Sequence, residues 1–415
     1  MKRLRAIGLL CSAFATAALA QEEFFDRLDE VLTASAFDAT ARARLSGTLD
    51  LETYAFRQPS PGLINAAGHS LFNPRLAVFL DAQLGRGIYF FAQSRADRSF
   101  DPSNGGAQMR LDECALRLTP WADGRLNLQV GKFATVVGTW VSRHGSWENA
   151  FVTAPLPYEN LTGIWDTKPA PSGATLLEWA HIRPASIRGF VPGDRSLRVP
   201  ILWGPSYASG VAVSGRLGKI RYAAELKNAS LASRPSTWDA TRGQWNQPTF
   251  SGRVGYQPNQ MWDLGVSAST GSYLRESARP VLPAGRSFRD YREVVTAQDV
   301  GFAWHHWQLW AEIFEARFEI PGVTHADTVS YYAEAKYKFT PQFFGALRWN
   351  QQLFSTIPDG PTRTAWGHNV WRVDLAPGYR FTSHLQLKLQ YTLQRGDRES
   401  SQLGQTLAAQ LTARF

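Results

Sequence analysis

With 415 residues, a formal net charge of +9 and two cysteines, the chain has room for one large domain or several ordinary ones but no disulfide framework. The positive charge is spread along the chain without a Lys/Arg cluster, so the sequence gives no support for a nucleic-acid partner. Beyond the first twenty residues no segment approaches about eighteen consecutive apolar residues, which excludes transmembrane helices.

Residues 1–40 predict a signal peptide followed by a short helix. Residues 1–20 combine a basic start with a short apolar stretch and end on the small-x-small pattern Ala18-Leu19-Ala20, which is typical of a secretory signal peptide. Residues 21–40 predict an acidic amphipathic helix, because apolar residues recur there at helical spacing among Asp and Glu. Three roles remain open for this helix: a periplasmic cap or tail, a plug of the lumen, or a docking handle for a periplasmic partner.

Residues 41–415 alternate with a period of two. In the segment 385–394, Leu or Tyr at each odd position alternates with Gln, Lys or Thr at each even position. Segments of about ten residues with this pattern are typical of a transmembrane antiparallel β-barrel whose apolar side chains face lipid. A soluble β-sandwich alternates as well, with its apolar face inside. The barrel is favoured because short and long connections alternate and aromatic residues flank the short turns.

The predicted barrel has about eighteen strands. Seventeen segments alternate clearly, among them 174–182. Single-chain bacterial barrels have an even number of strands, so we place one further strand within 183–203. Sixteen strands is the alternative if one early pair is a loop.

The longest segment without alternation is 134–172, and it is unusually aromatic. Disordered loops are poor in aromatic residues, so this segment is predicted to fold against a surface, which in a barrel is the inner wall. It resembles the inward-folded constriction loop of general porins. That resemblance implies that the narrowest point of a pore is bracketed by Arg143, His144, Glu148, Tyr158, Glu159 and Asp166. The alternative is a loop packed outside the mouth.

The polar strand faces carry more basic than acidic residues. The residues predicted to line the lumen are Arg216, Arg221, Lys227, Arg253, Lys336, Lys338, Arg348, Arg372, Arg380 and Lys388, together with Arg414. A basic channel wall raises the local concentration of anions, so the sequence predicts a preference for anions. The alternative is that acidic neighbours on adjacent strands pair with these charges and cancel the preference.

The chain ends on an alternating strand whose last residue is Phe415. It resembles the terminal strand of bacterial outer-membrane proteins, whose final aromatic residue is recognised by the barrel assembly machinery. Together with the signal peptide and the loop pattern, residues 41–415 resemble Gram-negative porins. The resemblance implies a channel in the outer membrane of a Gram-negative bacterium, surrounded by its lipid and passing small hydrophilic solutes or ions. It also allows a homotrimer.

Two other functions compete with a channel. An outer-membrane hydrolase would need a catalytic triad such as His144, Ser146 and Asp166, but this spacing is common by chance, and we predict no enzyme. A sleeve for another envelope protein, such as a cytochrome, would hold its partner in the lumen. The sequence contains neither a Cys-x-x-Cys-His haem motif nor metal-ligand spacing, so no cofactor and no metal are predicted.

Overall fold

The computed structural model describes residues 24–28, 30–36, 40–58, 60–66, 68–98, 107–181, 198–235, 245, 247–396 and 403–415. In these ranges the chain is mainly antiparallel β-structure, which confirms the predicted all-β class. The strands are β1 (Thr33–Ala36), β2 (Ala41–Phe56), β3 (Ser70–Leu84), β4 (Ile88–Arg98), β5 (Ala107–Leu118), β6 (Asn127–Phe133), β7 (Ala208–Leu217), β8 (Ile220–Lys227), β9 (Thr249–Tyr256), β10 (Trp262–Ser272), β11 (Arg292–Trp304), β12 (Trp307–Ile320), β13 (Val323–Lys338), β14 (Phe343–Phe354), β15 (Thr356–Asp359), β16 (Thr362–Ala365), β17 (Val370–Arg380), β18 (Leu385–Arg395) and β19 (Gly404–Arg414).

Sixteen of the described strands close into one barrel. Strands β2 to β14 pair in chain order, and β17, β18 and β19 continue the sheet beyond a separate β15–β16 hairpin. The barrel closes where β19 pairs with β2, with Thr406 opposite Phe56 and Arg414 opposite Thr48. Phe415 continues this seam through backbone hydrogen bonds with Gly47, and its ring lies where a side chain on residue 47 would have to be.

The side chains are distributed with their polar face inward. In β18 the buried positions include Gln386, Lys388 and Gln390, whereas Leu389 and Tyr391 are 44% and 41% exposed. A soluble β-sandwich would bury the leucines and expose the lysine. This arrangement therefore excludes the sandwich and fits a barrel surrounded by lipid. No helix among the described residues is long and apolar enough to cross a membrane.

The two ends of the barrel differ. At the turn end, which holds Ala41 and Phe415, short connections join the strands, as between Leu217 and Ile220. At the opposite loop end the connections are mostly long, and the longest joins β6 to β7. The sequence predicts that aromatic residues flank the short turns, and eight of them are exposed there: Trp121, Trp262, Trp304, Trp307, Phe339, Phe343, Tyr379 and Phe381. A ninth, Phe344, is buried and contacts Lys336 on the inner face.

The closed barrel has sixteen strands, which is the alternative that the sequence left beside about eighteen. Residues Gly173–His181, predicted to begin a strand pair, form an α-helix with Leu176, Leu177 and Ala180 buried. Strand β6 pairs directly with β7, so the barrel needs no strand from this segment. The further strand proposed within 183–203 lies largely outside the described residues, and Arg198 in its described part forms an isolated bridge with Trp165.

The N-terminal helix is shorter than the predicted span of 21–40. Residues 24–28 are helical, and the chain then forms β1, where Thr33 pairs with Arg44 of β2. Phe25 stacks on His384 with a ring separation of 5.3 Å, so the helix rests on the turn between β17 and β18. The predicted signal peptide, residues 1–20, lies outside the described residues.

Candidate functional site in the barrel lumen

The connection between β6 and β7 contacts the inner wall of the barrel. We call its described part, residues 134–181 and 198–207, the lumen segment. It contains a 3-10 helix at Trp140–Arg143 and the α-helices Leu156–Glu159 and Gly173–His181. Its apolar residues form one core with inward-facing Phe314 and Phe318 of β12. The loop end of the lumen is therefore partly filled by a hydrophobic core.

Basic side chains of the wall hold the lumen segment through its backbone. Lys388 Nζ donates to the carbonyl oxygens of Ser146 at 2.7 Å, Asn149 at 2.9 Å and Phe151 at 3.3 Å. Arg348 Nη2 donates to the carbonyl oxygen of Thr153 at 3.0 Å. A buried carbonyl must have a hydrogen-bond partner, and a charged donor makes a stronger bond than a neutral one. These basic residues therefore fix the path of the lumen segment.

A carboxylate on β12 holds the start of the same segment. Glu312 accepts hydrogen bonds from the Trp140 backbone N–H at 3.0 Å, the Thr139 hydroxyl at 2.9 Å and the Tyr158 hydroxyl at 2.6 Å. Tyr158 also packs against Trp140, with ring centroids 4.6 Å apart. One carboxylate thus joins the 3-10 helix to the helix that begins at Leu156.

Three arginines face the lumen segment from the other side of the barrel. We call Arg75 of β3, Arg95 of β4 and Arg110 of β5 the arginine wall. Arg75 pairs with Asp50 at 3.1 Å and with Glu52 at 2.6 Å. Arg95 pairs with Asp97 at 3.2 Å and with Asp112 at 3.3 Å, while Arg110 lies 3.4 Å from Asp112. The wall is held in place by carboxylates.

Three cavities adjoin these surfaces. Two of them, of about 630 Å³ and 620 Å³, contain turn-end residues such as Met261 and Phe415 respectively, and we call them the vestibules. The third, of about 80 Å³, lies between the lumen segment and the arginine wall, and we call it the passage cavity. Its lining shares four residues with the 620 Å³ vestibule: Arg75, Arg95, His144 and Ser146. The two spaces therefore adjoin at these four residues.

Five of the six predicted constriction residues line the three cavities, and the sixth lies elsewhere. Arg143 and His144 line the 630 Å³ vestibule, and Glu148 lines the other one together with His144. Tyr158 and Glu159 line the passage cavity, where the Tyr158 hydroxyl donates to Glu312 and one oxygen of Glu159 accepts from Arg372. The structure therefore brings five of these residues to the water-accessible spaces.

Asp166, the sixth, lies among the external loops. It pairs with Arg275 at 2.8 Å, and its carbonyl oxygen accepts a hydrogen bond from the Arg275 backbone at 2.7 Å. Neither vestibule nor the passage cavity includes it among its lining residues. Its contacts give it a role in joining the lumen segment to the loop between β10 and β11.

His144 is held in its neutral form. Its Nδ1 lies 2.5 Å from the carbonyl oxygen of Val141, and its Nε2 lies 2.8 Å from the hydroxyl of Tyr207. A carbonyl oxygen only accepts, so Nδ1 carries the proton and Nε2 accepts from the hydroxyl. Burial lowers the pKa of His144 to about 4.

The predicted lumen-lining basic residues fall into three groups. Lys388, Arg348, Arg372 and Lys227 are buried and hold backbone of the lumen segment or of the strand end before it. Arg221 and Arg253 line the 630 Å³ vestibule and pair with Asp263 and Asp299. The remaining residues lie at or near the turn end: Arg216, Lys336, Lys338, Arg380 and Arg414.

Arg380 and Arg414 enclose the indole of Trp147 from the lumen segment. Their guanidinium carbons lie 5.1 Å and 4.2 Å from the ring centroid, which is a cation–π geometry. Neither residue forms an ion pair with a carboxylate within the described parts of the chain, but the Glu148 carboxylate acts on both electrostatically. Arg414 lines the 620 Å³ vestibule together with Glu148, whereas Arg380 lines neither vestibule.

The arginine wall was absent from the predicted site. Alternation in β3 places Arg75 on the same face as Leu71 and Asn73, so a signal was present in the sequence. Alternation is a weaker guide to the face of Arg110 in β5. The register between β4 and β5 shifts between Gln93 and Ser94, so that Asp112 has no partner residue on β4. Such a bulge breaks the period of two on which the prediction depended.

The hydrolase arrangement does not form. His144 uses both ring nitrogens for Val141 and Tyr207, and Asp166 pairs with Arg275. A catalytic triad requires the histidine to contact both the nucleophile and the acid. Within the described ranges, no group of three or more His, Cys, Asp or Glu side chains is arranged to hold a metal ion.

Comparison with known proteins shows similarity of fold. No protein-family model matches the sequence, and no curated protein matches it. The outer membrane channel DcaP of Acinetobacter baumannii is similar in structure, with a TM-score of 0.56 and 9% identity over 92% of this chain and 100% of that chain. The anion-selective porin from Comamonas acidovorans has a TM-score of 0.54 and 10% identity over 90% of this chain and 100% of that one.

A third similar structure is OmpT, an outer membrane protein of Vibrio cholerae, in its trimer form. Its TM-score is 0.53 at 9% identity, over 91% of this chain and 100% of that chain. At these identities the similarity concerns the fold alone. By fold, the chain is a porin-like antiparallel β-barrel, as the resemblance in its sequence implied.

Proposed function

We propose that this chain is an outer-membrane channel through which small hydrophilic solutes diffuse, with a preference for anions. One observation carries the proposal: an apolar-faced barrel of sixteen strands holds two vestibules lined by apolar and charged side chains, and a smaller cavity lined by arginines. A lumen that serves only for packing would have no need of water-accessible spaces of about 600 Å³. The porin fold supports the same function.

The preference for anions depends on which basic residues lack acidic partners. Most lumen arginines pair with Asp or Glu, as Arg253 does with Asp299, and a paired charge attracts ions weakly. Arg380 and Arg414 contact an indole instead of a carboxylate. We therefore assign the preference mainly to these two residues at the turn end.

Single-channel recording in a planar bilayer, with the reversal potential measured under a salt gradient, tests this function. We expect stable open levels and a reversal potential whose sign shows that anions permeate more readily than cations. The double substitution Arg380→Gln and Arg414→Gln should move that potential toward the cation side. Arg279→Gln is the matched control, because this exposed arginine pairs with Glu276 in an external loop, and it should leave the potential unchanged. Silence from folded protein would contradict the channel.

A sleeve for a second envelope protein is less well supported. The lumen segment and its hydrophobic core occupy space that an inserted protein would need. The remaining spaces, of about 630, 620 and 80 Å³, suit small solutes and are far too small for a folded domain. A homotrimer stays within this proposal, and analytical ultracentrifugation of the detergent-solubilised protein tests it: a single species of monomer mass would exclude the trimer.

A further inference from the structure

The N-terminal segment is attached to the turn end of the barrel, near the rim of the 620 Å³ vestibule. Its strand β1 pairs with the first residues of β2, where Thr33 lies opposite Arg44. The helical residues 24–28 contact the turn between β17 and β18, where Phe25 stacks on His384. Because His384 also lines the vestibule, this contact places the helix beside the vestibule rim.

One ring nitrogen of His384 is bound to the backbone of β19. The Arg414 backbone N–H donates to the His384 carbonyl oxygen at 2.9 Å, and Nδ1 of His384 lies 2.9 Å from the Arg414 carbonyl oxygen. A carbonyl oxygen only accepts hydrogen bonds, so Nδ1 carries a proton. A neutral imidazole has a single proton, so its Nε2 would then present only a lone pair.

The other ring nitrogen faces a carboxylate of the N-terminal helix. Nε2 of His384 lies 3.1 Å from Oδ1 of Asp26. An ionised carboxylate also only accepts, so two acceptors would oppose each other if the imidazole were neutral. The contact is a hydrogen bond only in the imidazolium form, in which both ring nitrogens donate. In that form it is an ion pair as well.

Other charged groups surround this histidine without bonding to its ring. The helical segment also carries Arg27 and Glu30. Further charged groups on the elements around the turn are Arg44, Glu148, Arg380, Arg414 and the carboxyl end of Phe415. Within the described ranges, none of these side chains forms a hydrogen bond or an ion pair with the His384 ring. Asp26 is therefore the partner whose contact changes when the ring gains or loses a proton.

We propose that His384 and Asp26 form a proton-dependent latch that docks the N-terminal helix beside the vestibule rim. Histidine side chains take up a proton between about pH 8 and pH 5, so the latch closes as the pH falls through this range. At higher pH the Asp26 carboxylate meets a lone pair, and the helix is released. A helix of this length is too short to stay folded alone, so release also unfolds it. The latch does not depend on whether the barrel conducts ions.

Hydrogen exchange at the Leu32 amide measures the latch. This N–H donates to the Leu28 carbonyl oxygen at 2.9 Å, and it loses that bond when the helix unfolds. Protection is the exchange rate of an unstructured peptide divided by that of the full chain in detergent micelles at the same pH. Because Asp26 is exposed, we expect a modest effect, with protection about fivefold higher at pH 5.5 than at pH 8. Equal protection at the two pH values, or higher protection at pH 8, would overturn the proposal.

Two pairs of substitutions assign the pH dependence to this contact. In His384→Gln and in Asp26→Asn the protection should differ less than about twofold between the two pH values, because an amide can donate or accept at either pH. His306→Gln is the matched control for the histidine, since Nδ1 of His306 lies 2.6 Å from the Lys338 carbonyl oxygen but its ring bonds to no carboxylate among the described residues. Glu30→Gln removes an exposed negative charge from the same segment. Both controls should keep the fivefold difference, and its loss in a control or its persistence in His384→Gln would refute the latch.

Discussion

Replacing Lys388 by methionine should release the lumen segment from the wall. Lys388 is completely buried on β18, and its ammonium group donates to three backbone carbonyls within the stretch from Ser146 to Phe151. Methionine keeps the length and apolar stem of the side chain but has no donor. The substitution therefore leaves three carbonyls without their partner while it preserves packing.

The size of the effect follows from those three bonds. A hydrogen bond to a charged group contributes about 1.5–3 kcal/mol, so three of them contribute about 4–9 kcal/mol before desolvation is considered. Burying the ammonium group costs several kcal/mol, which the substitution recovers. We expect a net loss of about 3 kcal/mol in docking of the segment, which lowers the ratio of docked to undocked states by on the order of 100-fold.

Thiol labelling measures this docking. In a Cys114→Ser background with Ala150→Cys, a maleimide reagent should react on the order of 100-fold faster when Lys388 is replaced by methionine, because undocking exposes residue 150, which is buried and lines none of the three cavities. Lys338→Met is the control, since Lys338 is exposed at the end of β13. Equal labelling rates with and without Lys388 would refute the assignment of this lysine as an anchor.

Three further predictions concern other parts of the barrel. Glu312→Gln should weaken docking of the lumen segment by about 1–3 kcal/mol, since an amide replaces one accepting oxygen by a donor, and single-channel recording should show added open-state noise. His144, whose pKa burial lowers to about 4, should remain neutral from pH 8 to pH 5, so the conductance profile of His144→Gln should match the parent over that range. Between about pH 6.5 and pH 4, His144 binds a proton in the unfolded state but not in the folded state. The free energy of unfolding of the parent should therefore decrease relative to that of His144→Gln as the pH falls through this range, and urea titration at each pH measures it. Leu375→Arg places a charge on the exposed outer face of β17 and should cost about 2–4 kcal/mol in vesicle-folding experiments, whereas an unchanged midpoint would contradict the lipid-facing assignment.

The barrel could be predicted because its strands obey a local rule. Alternation in 385–394 assigns each residue to a face without knowledge of any other strand, and the structure places Leu389 outside and Lys388 inside accordingly. The closing seam was also indicated by a local feature, the alternating strand that ends at Phe415. Both signals are present in the sequence because a strand with lipid on one face and the polar lumen on the other must alternate apolar and polar side chains.

The strand predicted at 174–182 is wrong because a short apolar run is compatible with a strand as well as with a helix. Leu176, Leu177 and Ala180 recur at helical spacing, and Ser172 precedes them as a capping residue whose hydroxyl accepts a hydrogen bond from the Thr175 backbone at 3.3 Å. These signals favoured a helix. Counting this run as a strand gives seventeen strands. Because a barrel needs an even number of strands, the count then predicts one further strand, which the closed barrel of described strands does not contain.

The interior of the site could not be predicted because its contacts are distant in sequence. Lys388 and Ser146 are 242 residues apart, and Arg372 and Glu159 are 213 apart. Alternation assigns Lys388 to the lumen but cannot show whether its partner is water or a folded segment. The arginine wall depends in addition on the bulge at Asp112, which the alternation pattern does not encode.

Some basic residues of the lumen anchor the lumen segment and others face water. The two kinds should respond differently to substitution when the conductance of the proposed channel is recorded. Lys388 and Arg348 donate their hydrogen bonds to the lumen segment. A count of all basic residues in the lumen therefore overestimates the attraction for anions. Arg380 and Arg414 form no ion pair among the described residues, although Glu148 acts on both electrostatically, and we propose that they attract ions at the turn end. Neutralising an anchor should therefore change the width and noise of the open state. Neutralising the turn-end pair should change selectivity at constant noise, and a single recording separates the two effects. If Lys388→Met moved the reversal potential as far as the double arginine substitution does, the division between anchoring and ion-attracting charges would be wrong.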